Sequence, residues 1–271
     1  MHFLIDCDSV IYKAGCANEE RWWDIIDKDS GETVNAFQYK AEALEWTDND
    51  KETYDYVCRK EAGPLSHSLS NTRHLLEKII GHRQCSSYDI FIGGQDNYRK
   101  LLYKDYKATR DPVAKPIHEE QMRDYLQRKW NAQVVDGQEV DDEIGIRLTE
   151  DIDNNVCVTI DKDLDNVPGW HYNYDKEDGL YYIADDEAIW TFYCQVLSGD
   201  STDNIPGLKG IGKKTAQKML TGIVNEEDLC YTVWQQYLDK GHNYDFFLMN
   251  ARLLWIRQKR EETWQPPINL Q

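Results

Sequence analysis

Short apolar runs that end in an acid recur along this chain. Phe3–Asp6 (FLID) reads as a buried parallel strand with a polar C-terminal tip. Ser87–Gly94 (SYDIFIGG) and the stretch NAQVVDG at 131–137 read as further buried strands, and Asn155–Asp161 (NVCVTID) is a fourth that again ends in an acid. Helical spacing of apolar positions falls over Lys40–Trp46, Ser70–Ile80, Glu119–Trp130, Asp141–Thr149 and Asp186–Leu197, with Ser70 or Asn71 available as an N-cap for the second of these. Strands alternating with helices predict an α/β fold with a mostly parallel sheet. RWWDII and ETVNAF flank the turn signal DKDSG, which predicts a hairpin over Arg21–Phe37. Beyond about residue 198 the texture changes to a polar loop followed by amphipathic helices such as YDFFLMNARLLWIRQ. The expected division is therefore an α/β part at 1–185 and a helical part at 186–271, with no flexible linker between them.

Composition narrows the classes. The chain has 271 residues, 31 basic against 49 acidic, for a net charge of −18. It contains no apolar run long enough for a membrane span. Its start, MHFLIDCDSVIYKAG, lacks a basic n-region and has two Asp in its apolar stretch, unlike a secretory signal. Seven cysteines without a CxxC pattern read as reduced thiols, which sets the expectation of a cytoplasmic protein. The negative charge argues against a nucleic-acid partner unless the acids are gathered where cations neutralise them.

They are gathered. Asp6 and Asp8 follow the first strand, Glu139, Asp141 and Asp142 the third, and Asp161 and Asp163 the fourth; Asp200 and Asp203 open the helical part. In open α/β sheets the ligand crevice lies beyond the carboxyl ends of the strands. One acid there serves equally well as a loop cap or a solvated charge. Four clusters, three of them at strand ends, are not explained that way. Crowded carboxylates either take up protons or hold cations, and hard oxygen donors suit Mg²⁺ or Mn²⁺. A pair of such ions is a known device for phosphodiester hydrolysis.

Asn204–Leu220 (NIPGLKGIGKKTAQKML) comes close to a nucleotide-binding P-loop and fails on two counts. Lys213 is followed by Lys214 rather than Ser or Thr, and a polar loop stands where a strand is needed. A helix-hairpin-helix fits better. Gly207, Gly210 and Gly212 give a tight turn with bare backbone, and Lys209, Lys213, Lys214 and Lys218 surround it with positive charge. A second basic tract, Tyr98–Pro116, interleaves Arg99, Lys100, Lys104, Lys107, Arg110 and Lys115 with Tyr98, Tyr103 and Tyr106. That pattern suits frayed or single-stranded nucleic acid, and equally a basic amphipathic helix that buries its Leu and Tyr face.

Taken in order, these blocks resemble the 5′-nucleases: flap endonucleases, the 5′-nuclease domain of bacterial DNA polymerase I and, most of all, bacteriophage 5′→3′ exonucleases. FLIDCDSVIYKA resembles the first strand, with Asp6 at a metal-binding aspartate and Lys13 at a basic position. YRKLLYKDYKATR resembles the gateway and arch, within an arch region of about 98–118. EVDDEIG, DKDL and GDSTDNIPGLKGIGKKTAQKML resemble the remaining acidic blocks and the helix-hairpin-helix. The resemblance implies a PIN-like domain and a helix-hairpin-helix region. It implies two Mg²⁺ ions, replaceable by Mn²⁺, one centred on Asp6, Glu139, Asp141 and Asp142 and the other on Asp161, Asp163, Asp200 and Asp203. A monovalent cation at the helix-hairpin-helix is implied as well. Lys107 and Arg110 take the catalytic phosphate contacts. Lys13, Arg99, Lys100, Lys104, Tyr106, Lys209, Gly210, Gly212, Lys213 and Lys214 take the DNA.

The implied reaction is hydrolysis near a DNA 5′ end, nick or flap, leaving 5′-phosphate and 3′-hydroxyl, with RNA·DNA hybrids as a further substrate and host cytoplasm as the setting if the source is a phage. The alternatives are a catalytically impaired DNA-binding member of the same fold and a PIN-type ribonuclease. Two departures stand out. Gly93 and Gly94 occupy the place after the second strand where the family has an acid, leaving Asp96 as a candidate substitute. The stretch from Arg21 to about Leu65 is an insertion.

Overall fold

The computed structural model describes residues 1–110, 114–176 and 179–270, so residues 111–113 of the expected arch lie outside the described residues. The chain divides into two compact units, one of Met1–Ser9, Glu77–Arg110 and Gln127–Gln271, the other of Val10–Leu76 and Asp111–Leu126. The division expected near residue 185 falls inside the first unit, because the helices after that point share a core with the segment that carries Tyr106.

The first unit is built on a six-stranded sheet of order β6-β5-β1-β7-β8-β9. Its strands are β1 (His2–Asp6), β5 (Ser87–Asn97), β6 (Gln133–Gly137), β7 (Asn155–Val158), β8 (Gly169–Tyr172) and β9 (Leu180–Ile183). All neighbours pair in parallel except β8 and β9. The four apolar runs become β1, β5, β6 and β7, as their composition predicts. The β8–β9 hairpin was not expected. β1 is central, with β5 on one side and β7 on the other, so its carboxyl end is the topological switch point where a crevice opens.

Helix α6 (Val140–Glu150) follows β6 directly and seats Val140, Ile144 and Leu148 against Leu4, Phe91, Val135 and Cys157 of the sheet. Three further helices, α7 (Asp185–Ser198), α9 (Glu226–Asp239) and α10 (Tyr244–Leu254), pack with the short α8 (Lys213–Leu220) around Phe192, Leu197, Leu220, Trp234 and Phe247. All seven cysteines are free thiols.

The second unit contains a separate antiparallel sheet, β3-β2-β4, of β2 (Glu19–Asp27), β3 (Thr33–Phe37) and β4 (Tyr54–Ala62). The expected hairpin is β2–β3; β4 extends it to three strands. Helix α2 (Lys40–Trp46) covers one face, where Ile25 and Ala43 are fully buried and Lys40 lies 4.6 Å from the Trp23 ring. Helix α3 spans Leu65–Ile80, starting five residues before the expected Ser70. Ser70 and Asn71 therefore lie inside the helix and do not cap it. Helices α1 (Cys7–Cys16), α3 and α5 (Glu119–Trp130) each begin in one unit and end in the other, and the short α4 (Arg99–Leu102) belongs to the first. No helix among the described residues is long and apolar enough to cross a membrane.

The loop between α7 and α8 closes on itself. Asp200 and Ile205 exchange backbone hydrogen bonds of 2.9 and 2.7 Å, and the Gly207 N–H donates to Asn250 Oδ1 at 2.9 Å. Gly207 has φ +54°, and a Cβ there would stand 2.2 Å from the Gly199 nitrogen. Gly210, at φ +86°, has nothing within 4 Å of its Cβ position. Gly210→Ala should therefore cost only the left-handed penalty of roughly 1–2 kcal/mol. Gly207→Ala, which forces backbone apart, should lower the melting temperature clearly more. Equal losses in parallel thermal melts would show that the loop is not closed in this way.

Candidate active site

The acids of the four clusters all belong to the first unit and fall into two electrostatic classes. One class has internal cations. Glu139, at the N-cap of α6, is within hydrogen-bond reach of the Lys107 Nζ, the Asn97 amide at 2.7 Å and the Tyr106 hydroxyl at 3.0 Å, with the Arg99 guanidinium 3.7 Å away. Burial alone would raise its pKa, yet the charges of Lys107 and Arg99 and the bonds from Lys107 and Tyr106 hold it below the ordinary value. Asp203 pairs with Arg110, whose Nε is 3.2 Å away, and with Lys107 at 3.4 Å. The Tyr106 hydroxyl lies 3.0 Å from Asp203 as well, so one phenolic proton serves two carboxylates. Backbone bonds fix this arrangement: the Lys107 N–H donates to the Asp203 carbonyl at 2.8 Å, and the Asn204 amide donates to the Asp105 carbonyl at 2.7 Å. Lys107 adopts φ +59°, an uncommon conformation for a residue with a Cβ and one found where function holds strain in place.

The other class has no such relief. Asp6, 5% exposed, accepts from the N–H groups of Asp8 and Ser9 at 3.0 and 3.3 Å and from Thr159 Oγ1 at 2.8 Å. Burial, then the charge of Asp8, pushes its pKa up to about 6. Asp141 is held well above the ordinary carboxylate range by burial, then by Asp161, Asp6 and Glu139. Asp163 is pushed to about 7 by burial, then by Asp161, Asp200 and Asp203, although Gln195 donates to it at 2.7 Å. Asp161 accepts from the Asp163 N–H at 2.9 Å and Asp200 from the Thr202 N–H at 2.7 Å. Among the described residues no Lys or Arg is paired with Asp6, Asp141 or Asp161.

Asp142 does not belong with them. It is fully buried, and its oxygens are filled by two bonds from Arg99, one from the Glu139 N–H at 3.1 Å and one from the Arg257 N–H at 3.1 Å. Four donors saturate a carboxylate, so Asp142 has no lone pair for a metal. Arg99 corrects in the same way: expected on DNA, it is 2% exposed and donates to Asp142 and to the carbonyls of Leu253 and Trp255. Tyr106, also expected on DNA, is 4% exposed and faces Glu139 and Asp203.

Lys100, Lys104, Lys209, Gly210, Gly212, Lys213 and Lys214 are all exposed. Lys13 is exposed in the last turn of α1, within the second unit. Asp96 is exposed, and its N–H, with that of Gln95, donates to Asp136.

Reasoning from sequence placed Asp8 among the clustered acids but did not assign it to a metal. Its Oδ2 accepts the Gly93 N–H at 3.0 Å and lies 2.7 Å from where a Gly93 Cβ would stand. A carboxylate thus fills the space that a side chain at 93 would enter. The spacing Asp6-x-Asp8 was the available signal.

Among the described residues no three Asp, Glu, His or Cys side chains form a ready-made metal cage. The unrelieved acids fit a different mode of binding. Mg²⁺ takes one or two carboxylates and keeps much of its water, and a cation offsets the repulsion that raises Asp6, Asp141 and Asp163.

No family model matches the chain. Flap endonuclease Xni of Pseudoalteromonas translucida (strain TAC 125) is 26% identical over 213 residues, covering 71% of this chain and 82% of that protein. The chain is thus similar to a flap endonuclease along most of its length. A DNA polymerase I of Caldicellulosiruptor bescii is 32% identical over 164 residues, 52% of this chain but only 18% of the polymerase. The crystal structure of the T5 D15 protein co-crystallised with metal ions superposes with a TM-score of 0.57 at 14% identity, covering 93% of this chain and 88% of that one. That likeness concerns the fold, which the two chains share along nearly the whole length of this one.

Two measurements test the sorting of the acids. The folded pKa values of Asp6 and Asp163, about 6 and about 7, lie above the ordinary 3.8. Between about pH 4 and 7 the folded state then binds more protons than the unfolded chain, so these groups make stability fall as pH rises. In EDTA the melting temperature should drop from pH 5 to pH 8, less so in Asp6→Asn or Asp163→Asn. Added Mg²⁺ should restore more at pH 8 than at pH 5. Identical pH profiles for wild type and both variants would remove the argument. Separately, Asp142→Ala removes the carboxylate that takes two bonds from buried Arg99, leaving Glu139 at 3.7 Å as its nearest anion, and should cost about 3–5 kcal/mol. Asp161→Ala should leave the melting temperature equal or raised in EDTA; urea titrations of both decide it.

Proposed function

We propose that the protein is a divalent-metal-dependent 5′→3′ exonuclease and flap endonuclease that hydrolyses phosphodiesters near DNA 5′ ends. The observation that carries this reading is the set of carboxylates at the switch point of the sheet, Asp6, Asp141 and Asp163 with raised pKa values, beside the cations Lys107 and Arg110. Asp6, Asp8, Asp141 and Asp161 would surround one Mg²⁺ or Mn²⁺, and Asp163, Asp200 and Asp203 the other, one or two of each set directly and the rest through the ion's water. When bound, such ions supply the positive charge that offsets the carboxylates and polarises the scissile phosphodiester.

The chain's own groups do the rest. Burial works against the charge of Lys107, but Glu139 and Asp203 outweigh it and raise its pKa, so the ammonium stays charged. Arg110 is likewise kept charged by Asp203 against the cost of burial. Both would turn from their carboxylates to the phosphate and stabilise charge that develops on its oxygens. Glu139 and Asp203 keep the two cations in place between substrates. Water would be the nucleophile: its oxygen bonds to phosphorus as the P–O3′ bond breaks, and the departing 3′ oxygen takes up a proton while the water loses one to solvent, which gives 5′-phosphate and 3′-hydroxyl products.

Backbone binding falls to the loop before α8. Gly212 caps that helix without a side-chain bond, Gly210 and Gly212 have open space around them, and Lys209, Lys213 and Lys214 are exposed. Uncapped N-terminal amides with nearby ammonium groups suit a phosphate. Lys100 and Lys104, exposed in the same unit, are further proposed DNA contacts, as is Lys13 in the second unit, and a monovalent cation at the loop before α8 belongs to the proposal. RNA·DNA hybrids are a second substrate of the same site, in a cytoplasmic setting. The relatives named flap endonuclease Xni support the activity.

A nicked duplex with a labelled 5′ flap, incubated with Mg²⁺ and read on a denaturing gel, tests the proposal. Cleavage should vanish in EDTA. Asp161→Ala should keep DNA binding and lose at least about 10²-fold in rate, and Lys107→Ala should lose about 10²–10³-fold in kcat. Asp8→Asn should lose rate as well, whereas Asp96→Asn should not. Wild-type protein that binds the flap but leaves it intact in both Mg²⁺ and Mn²⁺ would point to the impaired DNA-binding alternative.

A further inference from the structure

Helix α6 presents Glu139 and Asp141 from its N-terminal end, and the segment that follows α10 grips that helix along its length. At the N-terminal end, the Arg257 N–H donates to Asp142 at 3.1 Å, Arg257 Nη1 donates to Gln138 Oε1 at 3.0 Å, and its guanidinium lies 4.0 Å from the Tyr98 ring. In the middle, a Cβ on Gly145 would stand 2.5 Å from the Arg257 carbonyl oxygen and 2.9 Å from Ile256 Cγ2, so the backbone of the segment rests on the helix. At the far end, Thr149 Oγ1 donates to the Gln258 carbonyl at 2.7 Å, and Arg260 lies 3.5 and 3.7 Å from Glu143 and Glu150.

The segment is also closed on itself. Arg257 Nε donates to the Glu262 carbonyl at 2.9 Å, while the Gln258 N–H and Trp255 Nε1 donate to the Glu262 carboxylate at 2.8 and 3.1 Å. Arg257 makes no hydrogen bond to Glu139 or Asp141. It touches the residue before them, Gln138, and the residue after them, Asp142.

We infer that residues 255–262 form a strap that sets where α6 presents its catalytic acids, with Arg257 as a positioning residue. The physical need is visible in the helix itself. Asp141, Asp142 and Glu143 crowd its first turn, and Asp141 faces Asp6 and Asp161. That repulsion pushes the turn away from the opposing strands, and a small displacement of reacting groups is costly in rate. The strap opposes it from behind, through a main-chain contact that only glycine at 145 permits. This inference rests on the proposed nuclease reading, in which Glu139 and Asp141 serve the reaction.

Three variants test it: Arg257→Ala, Arg257→Lys and Gly145→Ala. The last touches no charged group, and alanine is the better helix former, so a loss there comes from lifting the strap. Below their melting temperatures, Arg257→Ala and Gly145→Ala should lose about 10- to 100-fold in kcat, with KM and DNA affinity within about twofold of wild type. Arg257→Lys should fall between them and wild type.

Two readouts do not depend on cleavage. Mn²⁺ binding measured by calorimetry without DNA should weaken, and backbone amides of the first turn of α6 should exchange hydrogen faster. A fall in DNA affinity with unchanged kcat would overturn the inference and make Arg257 a DNA contact. Lower melting temperatures with unchanged kcat, Mn²⁺ binding and exchange would make the segment merely stabilising. If wild type itself fails to cleave, the nuclease reading falls, and slower or unchanged exchange in the variants would still sink the strap.

Discussion

The guanidinium of Arg99 is the tie on which the site's geometry hangs. Buried at 2% exposure, it gives two bonds to Asp142 and one each to the carbonyls of Leu253 and Trp255. It thereby joins three parts of the chain that are far apart in sequence: the end of β5, the start of α6 and the exit from α10. Lysine could not do this, since it lacks the planar fork of donors that two carbonyls and a carboxylate require at once. Both charges have left water, and their mutual bonds and the additional donors from Glu139 and Arg257 offset that loss. The pair adds little to stability compared with an apolar replacement. What it adds is a fixed position for the turn that carries Glu139 and Asp141.

A second consequence is the division of labour among the acids. A net charge of −18 looks hostile to a nucleic-acid partner until the acids are sorted by what surrounds them. Glu139 and Asp203 are met by Lys107 and Arg110, and Asp142 by Arg99. Asp6, Asp141 and Asp163 mainly face other acids and burial, and their pKa values rise. Different neighbours thus produce opposite shifts at Glu139 and Asp141, two residues apart. Carboxylates with internal partners hold the cations where a phosphate would need them, and carboxylates without partners leave a local excess of negative charge for mobile cations to fill.

Much of the fold was legible because the physics that makes it is local. A short apolar run bounded by polar residues reads as a buried strand, and β1, β5, β6 and β7 are that. The helices at Lys40–Trp46 and Glu119–Trp130 match their spacing residue for residue. What escaped was non-local. Gly169–Tyr172 and Leu180–Ile183 are too short to announce themselves, and they become strands by pairing with β7 and each other. Arg99 and Tyr106 belong to a basic, aromatic tract that reads as a nucleic-acid surface. Tertiary packing turns these two inward and leaves Lys100 and Lys104 outside. Asp141 and Asp142 differ by one position, yet side chains one residue apart on a helix point about 100° apart. One faces the crevice and the other the buried arginine, a distinction that no composition rule carries.

The departure at Gly93 shows why position in sequence is a poor guide to charge in space. The resemblance drawn from the sequence implies an acid where Gly93 stands within β5, and a residue with no side chain there suggests on its face a weakened site. The space is not empty. Asp8, two residues beyond β1, sends its carboxylate to the Gly93 N–H, within 2.7 Å of where a Cβ at 93 would begin. A larger residue at 93 would collide with that carboxylate, so the glycine and Asp8 are two halves of one arrangement. The charge reaches the crevice from the neighbouring strand, and its price is a second acid beside Asp6, the second-largest reason that Asp6 holds its proton to about pH 6. The electrostatic demand of the site is met by the sum of the charges around the crevice, and parallel strands packed side by side make it immaterial which strand supplies each one.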